Sequence, residues 1–203
     1  MTRTKSDDKR AAILDAAAAL FSRYGYRRTS VDDVAGEAGI AKGTVYLYFD
    51  NKQALFAEVC RHVAHTFLDR AEAAVAQSGS VTETVQAVLA AKFCYLYQLV
   101  HSSPHASEII QSKNQIAAEI FVDADRRYLE LLRKLIARAD RRGDLALAEV
   151  GIKPRAAATL LIRCAHGTGS GDPPGVRPEL GEYERRLAEM TRVVLAGLGA
   201  APA

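Results

Sequence analysis

Apolar positions recur at helical spacing along most of the chain. Ile13, Leu14, Ala17, Leu20 and Phe21 fall at i, i+1, i+4, i+7 and i+8, a stripe on one helical face. Gly25 ends that segment as a C-cap glycine. Val31, Val34, Ala35 and Ala38 predict a short second helix, with Ser30 and Asp33 placed as a capping box. Gly39 and Ile40 break it. Helical spacing resumes from Lys42 to Phe49, where Val45 and Phe49 share a face. Asp50 and Gln53 read as the next cap, opening a helix with Leu55, Val59, Val63, Phe67 and Ala71 in four-residue steps. It runs to about Gln77, before Ser78-Gly79-Ser80. Ser80 and Glu83 make a capping box for a helix to about Val100. Ser103-Pro104 starts a short helix to about Ser112. A long helix follows from about Gln115 to Arg142, stopped by Gly143. Pro154 opens another, ending by Gly167. Between Gly167 and Pro178 there are four Gly and three Pro, a loop, and a last helix spans about Glu179 to Leu198.

The pattern gives an all-α fold of about nine helices with no convincing strand and no internal repeat. Short helices precede about residue 50 and long ones follow it. The chain therefore divides into an N-terminal three-helix module, residues 1–50, and a C-terminal helical bundle, residues 51–203.

Composition narrows the function classes. The 203 residues are 49% hydrophobic and 25% charged, enough for a packed core and ordinary for a globular protein. Lys and Arg total 27 against 24 Asp and Glu, a formal net charge of +3. Residues 1–52 hold nine Lys/Arg and seven Asp/Glu, or +2. So slight an excess does not by itself announce a nucleic-acid partner; local placement must. Arg3, Lys5, Lys9 and Arg10 form a modest basic arm, interrupted by Asp7 and Asp8, that either follows DNA or is disordered. Cys60, Cys94 and Cys164 are odd in number, far apart and in apolar helical context, which reads as buried reduced thiols. The N-terminus lacks the apolar core of a signal peptide, and no apolar run approaches the ~20 residues that span a bilayer. A cytoplasmic protein that does not enter the membrane is expected. No metal is expected either: His101 and His105 have Pro104 between them and no third ligand, and His62 and His65 read as surface residues. No cofactor motif is present.

The informative stretch is Thr29 to Lys52, TSVDDVAGEAGIAKGTVYLYFDNK. Helix, tight turn at Gly39 and helix, with the first helix before them, make a helix-turn-helix module. In such modules the second helix of the motif enters the DNA major groove. That helix needs one buried face, Val45 and Phe49, to fix it on its scaffold. Its other face offers donors through Lys42, Thr44, Tyr46 and Tyr48. Gly43 lets backbone approach a partner closely, and the helix N-terminus aims N–H groups at phosphates. On an isolated helix the tyrosines read as packing residues, and Lys42 and Lys52 as solvated charges.

Ala38 to Lys52, AGIAKGTVYLYFDNK, resembles the signature of the TetR (tetracycline repressor-like) family of transcriptional regulators. Ile13–Gly25 and Thr29–Ala38 are similar to its first and second helices. The resemblance covers about residues 10 to 58; beyond it only the architecture is similar. It implies that Lys42, Gly43 and Thr44 contact bases and backbone, that Tyr46 contacts phosphate, and that Tyr48 contacts phosphate or base edges. It makes Lys52 a phosphate-binding lysine and places Ser30 and Val31 against the DNA backbone. Ala41 departs from the pattern, which often has Ser or Thr there; a side-chain cap worth about 1 kcal/mol is absent.

The resemblance further implies a homodimer joined through the last two long helices, about Pro154–Gly167 and Glu179–Leu198. Ala157, Leu160, Leu161 and Cys164, with Leu187, Met190, Val194 and Leu198, form matching apolar stripes, although a monomer core shows the same pattern. It also implies a small-molecule pocket, for which Phe93, Tyr97, His101, Phe121, Tyr128 and His166 are candidates. Three functions compete. The first is a homodimeric repressor, released from a palindromic double-stranded operator by a ligand. The second is a constitutive or architectural DNA-binding protein of the same fold. The third is a helical enzyme, which the absence of a nucleophile elbow, P-loop, HExxH or paired-carboxylate motif disfavours.

Overall fold

A computed structural model describes residues 5–77, 79–102, 105, 106, 109, 115–169 and 178–200. Among these, the secondary structure is entirely helical. The elements are α1 Lys5–Tyr24, α2 Val31–Glu37, α3 Lys42–Tyr48, α4 Lys52–Ala76, α5 Val81–His101, α6 Gln115–Arg142, α7 Leu147–Val150, α8 Pro154–Gly167 and α9 Leu180–Gly197. The expected helix from Ser103-Pro104 and most of the Gly167–Pro178 loop fall outside the described residues, as does Arg3.

Three expectations change. First, α1 is 20 residues long and begins at Lys5, so short helices do not simply precede long ones. Lys9 and Arg10 are helical rather than part of a free arm. Arg10 pairs with Glu58 at 2.6 Å and lies 5.5 Å from the centroid of the Phe49 ring, contacts that anchor the extra turns. Second, α4 is capped by Asn51 rather than Asp50: the Asn51 side chain accepts from the Ala54 N–H at 2.8 Å. Third, α7 is additional. Four residues are too few to display a helical period, so the pattern passes over it.

The described residues divide into two compact units, Met1–His65 with Leu99–Asp123, and Thr66–Gln98 with Ala124–Ala203. In the first unit every member of the α1 stripe is buried, together with Val34, Val45, Leu55, Phe56 and Val59. Phe21 and Phe56 meet edge to face with centroids 5.3 Å apart, and Tyr26 stands 4.6 Å from Phe56. Burial of this aromatic cluster supplies the largest local driving force, since large rings remove the most apolar area from water. Thr29 is also buried; its hydroxyl donates to the carbonyls of Gly25 and Leu20 at 3.0 and 3.2 Å, closing the turn into α2. Cys60 lies in the same core, and burial pushes its thiol up to about 12.

In the second unit Val85, Val88, Leu89, Leu132, Ile136, Leu161 and Leu195 are fully enclosed. Tyr128 is enclosed too, its hydroxyl donating to the Val88 carbonyl at 2.8 Å. Helices α8 and α9 pack on each other. Ala146 and Gly199 touch closely: the Ala146 N–H donates to the Leu198 carbonyl at 2.9 Å, and a Cβ on Gly199 would stand 2.6 Å from that of Ala146. Gly199 also has φ +86°, so both space and backbone require glycine there. Cys94 is buried in this unit, its thiol pushed up to about 11 by burial.

Candidate nucleic-acid interface

The site is assembled by α2, the turn at Gly39 and α3. Ser30 caps α2 with the complete reciprocal box: the Asp33 N–H donates to Ser30 Oγ, and the Ser30 N–H donates to Asp33 Oδ2 at 2.7 Å. Hydrogen bonds from Ser30 hold the Asp33 carboxyl below its usual range. Gly39 adopts φ +67°, which a side chain would strain, and so lets the chain reverse between the two helices. Ala41 precedes α3 with no side-chain cap, as the sequence predicts.

α3 is a seven-residue helix held by one face. Val45 and Phe49 are buried against the first unit's core. The opposite face is open: Tyr46 is 45% exposed and Leu47 83% exposed. The Tyr46 hydroxyl makes no hydrogen bond among the described residues. A Cβ on Gly43 would meet nothing within 4 Å, so no neighbour in the chain demands a glycine in the first turn. In a helix interior glycine costs about 1 kcal/mol relative to alanine, and the space around Gly43 is open to close approach.

The other predicted residues are placed less simply. Lys42 is exposed but engaged: its Nζ donates to Asp32 Oδ2 at 2.6 Å, and that bond raises the ammonium's pKa. The Tyr48 hydroxyl lies 3.2 Å from Ser6 Oγ on α1. Lys52 Nζ sits 4.4 Å from the Tyr26 ring centroid and 3.4 Å from the Arg27 carbonyl oxygen; partial burial lowers its pKa, against the pull of Asp33. Thr44 is half-buried. Val31 is buried, because it belongs to the apolar stripe of α2, so its side chain is core and only its main chain remains for an interface. Sequence reasoning missed Leu47 and Asp32. The first was legible: with Val45 and Phe49 inward at i and i+4, residue 47 must face away. The second was not, since a contact across ten residues has no periodic signature.

The effector-pocket candidates separate. Phe93, Tyr97, Tyr128 and His166 belong to the second unit, while His101 and Phe121 belong to the first. Phe93 meets His166 edge to face at 4.9 Å, and Tyr97 stacks on Tyr183 at 4.1 Å. The Tyr97 hydroxyl donates to the Pro178 carbonyl at 2.6 Å. Burial, then the nearby positive charge of Lys92, lowers the pKa of His166.

Lys92 is the residue the sequence hid. It is 3% exposed on α5, among apolar neighbours. Its ammonium donates to Asp125 Oδ1 at 2.7 Å and lies 4.9, 5.4 and 5.5 Å from the Tyr128, Phe93 and Phe67 ring centroids. The faces of those rings and one carboxylate replace the water that burial removed. Among the described residues no group of three or more His, Cys, Asp or Glu could hold a metal ion, and no helix is long and apolar enough to cross a membrane.

Comparison with known proteins gives a consistent picture. Residues 13–59 match the family model described as "Bacterial regulatory proteins, tetR family". The chain is 31% identical over 129 residues to the HTH-type transcriptional repressor KstR2 of Rhodococcus jostii (strain RHA1), covering 60% of this chain and 61% of that protein. It is also 31% identical over 84 residues to the fatty acid metabolism regulator protein of Bacillus subtilis (strain 168), covering 41% of this chain and 43% of that protein, so the chain matches less than two thirds of the length of either relative. Among solved structures, a TetR/AcrR-family transcriptional regulator from Thermobifida fusca YX-ER1 superposes with TM-score 0.72 at 26% identity, covering 94% of this chain and 98% of that one. FadR from Bacillus subtilis, solved in complex with stearoyl-CoA, shares the fold with TM-score 0.68 at 20% identity over 92% of this chain and 98% of its own.

Proposed function

We propose, from the match of residues 13–59 to the tetR family model of bacterial regulatory proteins, that this chain is a sequence-specific DNA-binding regulator rather than an enzyme. In this reading it is a cytoplasmic homodimeric repressor of a palindromic operator, released by a small-molecule ligand. Residues 1–50 read DNA, and residues 51–203 dimerise and bind the effector. The observation that carries the proposal is α3 itself: Val45 and Phe49 are locked inward while Lys42, Gly43, Tyr46 and Leu47 face out. A short helix with a rigid buried face and an open face of donors has the shape and chemistry of a recognition helix.

Roles follow from placement. Tyr46 and Lys52 suit phosphate oxygens, and Lys42 with Thr44 suits bases at the start of the groove. Leu47 adds an apolar contact suited to a thymine methyl. Ser30, the main chain of Val31, and Tyr48 complete the backbone clamp. Lys42 exchanges Asp32 for DNA as the complex forms.

Dimerisation is supported by apolar surface on α8 and α9: Leu160 is 43% and Val193 73% exposed, beside half-buried Cys164, Met190 and Val194. A two-fold axis would set paired recognition helices one DNA turn apart, about 34–36 Å. An effector is supported by the aromatic and polar set Phe93, Tyr97 and His166, whereas the candidate Tyr128 is fully enclosed and belongs to the core; the same fold houses stearoyl-CoA in the Bacillus subtilis neighbour. Ligand need only favour a conformation with wrongly spaced recognition helices to empty the operator. Selection of bound duplexes from a random pool, followed by anisotropy titration of the winners, tests the proposal. A palindrome with half-sites one turn apart supports it, and enrichment of no sequence refutes it.

A further inference from the structure

A basic groove lies in the second unit, whereas α3 belongs to the first. It encloses about 560 Å³ and is lined by Arg126, Arg127, Leu129, Glu130, Leu131 and Lys134 of α6, with Glu72 of α4 and Arg155 of α8. That volume lies within the range of small-molecule sites and exceeds what a lone inorganic anion fills.

The charges in the groove are unbalanced. Besides Arg126, which is engaged elsewhere, Arg127, Lys134 and Arg155 face two carboxylates, Glu72 and Glu130, and one carboxylate is already spent. Both oxygens of Glu130 are taken by Arg133, whose Nη2 and Nε donate at 2.6 and 2.7 Å. That pairing, aided by the positive charges of Lys134 and Arg155, holds the Glu130 carboxyl below its usual range. The side chains of Arg127, Lys134 and Arg155 make no hydrogen bond or ion pair within the described residues. Arg127 and Lys134 lie seven residues apart on α6, two turns along nearly the same helical face. Arg155 adds a separate anomaly. It is the second residue of α8, at the positive end of a helix dipole and next to an N-cap, Lys153, with no capping side chain. Cations are disfavoured at a helix N-terminus. Unpaired cations of α6 and one at the unfavourable start of α8 converge on one groove, where a bound anion would pair with them.

We propose that this groove binds a small organic phosphate carrying several negative charges, of the size of a nucleoside di- or triphosphate. Guanidinium forks match phosphate oxygens bidentately, which favours phosphate over a single carboxylate. Leu129 and Leu131 offer an apolar wall for the ligand's organic part.

Calorimetric titration of the full chain with ATP, tripolyphosphate and adenosine tests this. ATP and tripolyphosphate bind, more weakly as salt is raised, and adenosine does not. Arg127→Ala and Arg155→Ala each weaken ATP binding at least tenfold, while Arg155→Lys retains part of it. These side chains are exposed, and matching thermal melts of the variants exclude a folding defect. If the melts differ, quenching of ATP binding in wild type by chemical modification of arginine, with protection by tripolyphosphate, gives the same reading. The proposal falls if millimolar ATP and tripolyphosphate do not bind at low salt, if adenosine binds equally well, or if folded double variants bind ATP as wild type does. It falls equally if Arg127 and Arg155 prove to hold non-specific duplex DNA that ATP cannot displace.

Discussion

Lys42 and Asp32 set the terms at the scale of single residues. Their 2.6 Å pair is exposed on both sides, so it is worth little to stability and is readily exchanged. In the proposed complex it competes with DNA for the same ammonium. Asp32→Asn is expected to tighten operator binding a few-fold at low salt and by less at high salt, because screening weakens the competitor it removes; anisotropy titrations at two ionic strengths check this. Lys92 presents the opposite case. The ammonium is buried although Asp125 is 55% exposed, so removing the carboxylate leaves a buried charge uncompensated, whereas replacing the lysine with an apolar side chain removes the need for a partner. Asp125→Ala is expected to destabilise by about 2 kcal/mol, and Lys92→Met by less or not at all; urea unfolding of both variants measures the difference. The sequence could not announce Lys92, since a lysine inside an apolar run looks like any interruption of a stripe. Tyr46 and Leu47 were legible because the helical period that buries Val45 and Phe49 also turns them outward.

Caps and stripes were the readable features among the helices. The boxes at Ser30–Asp33 and Ser80–Glu83 both form. The four-residue ladder of α4, Leu55 through Ala71, is buried at every step. What escaped was local competition. Asp50 and Asn51 are both capping residues, and only the backbone geometry selects Asn51. α1 extends to Lys5 through contacts of Arg10 with Glu58 and Phe49, none of which a periodic pattern encodes. The uncapped start of α3 yields a sharp expectation. Ala41→Ser supplies a side-chain acceptor to a helix that has none, worth about 1 kcal/mol. Differential scanning calorimetry is expected to show a rise of about 2–4 °C in Tm. Ser30→Ala, which dismantles a cap already present, is expected to lower Tm by a similar amount.

For the whole molecule, the net charge of +3 was a poor guide, and placement of charge was a better one. The helix-turn-helix segment was legible from sequence because caps, apolar spacing and Gly39 encode α2, the turn and α3 locally. The second unit was less so, because its aromatic groups could be core or pocket, and Tyr128 proves to be core. Stability should also depend on pH in a defined direction. Folding lowers the pKa of His166, chiefly by burial, so the unfolded chain binds its proton more readily. Its contribution is present above the unfolded value of about 6.5 and is lost as pH falls through the lower folded value. Asp33, Glu58, Glu83 and Glu130 are all held below their usual values by hydrogen bonds and paired cations, so their contributions are lost in turn at more acid pH. Thermal melts from pH 8 to 3 should therefore fall in two stages, the first abolished by His166→Phe.

Recognition by the open face of α3 is the central claim, and titration of a pool-selected duplex with wild type, Tyr46→Ala and Lys42→Ala tests it most directly. Both variants leave the buried Val45–Phe49 face intact, so they should fold as wild type does. Wild type is expected to bind a palindromic site, and each variant to lose at least tenfold in affinity. Wild-type affinity in both variants, with unchanged sequence preference, would contradict it.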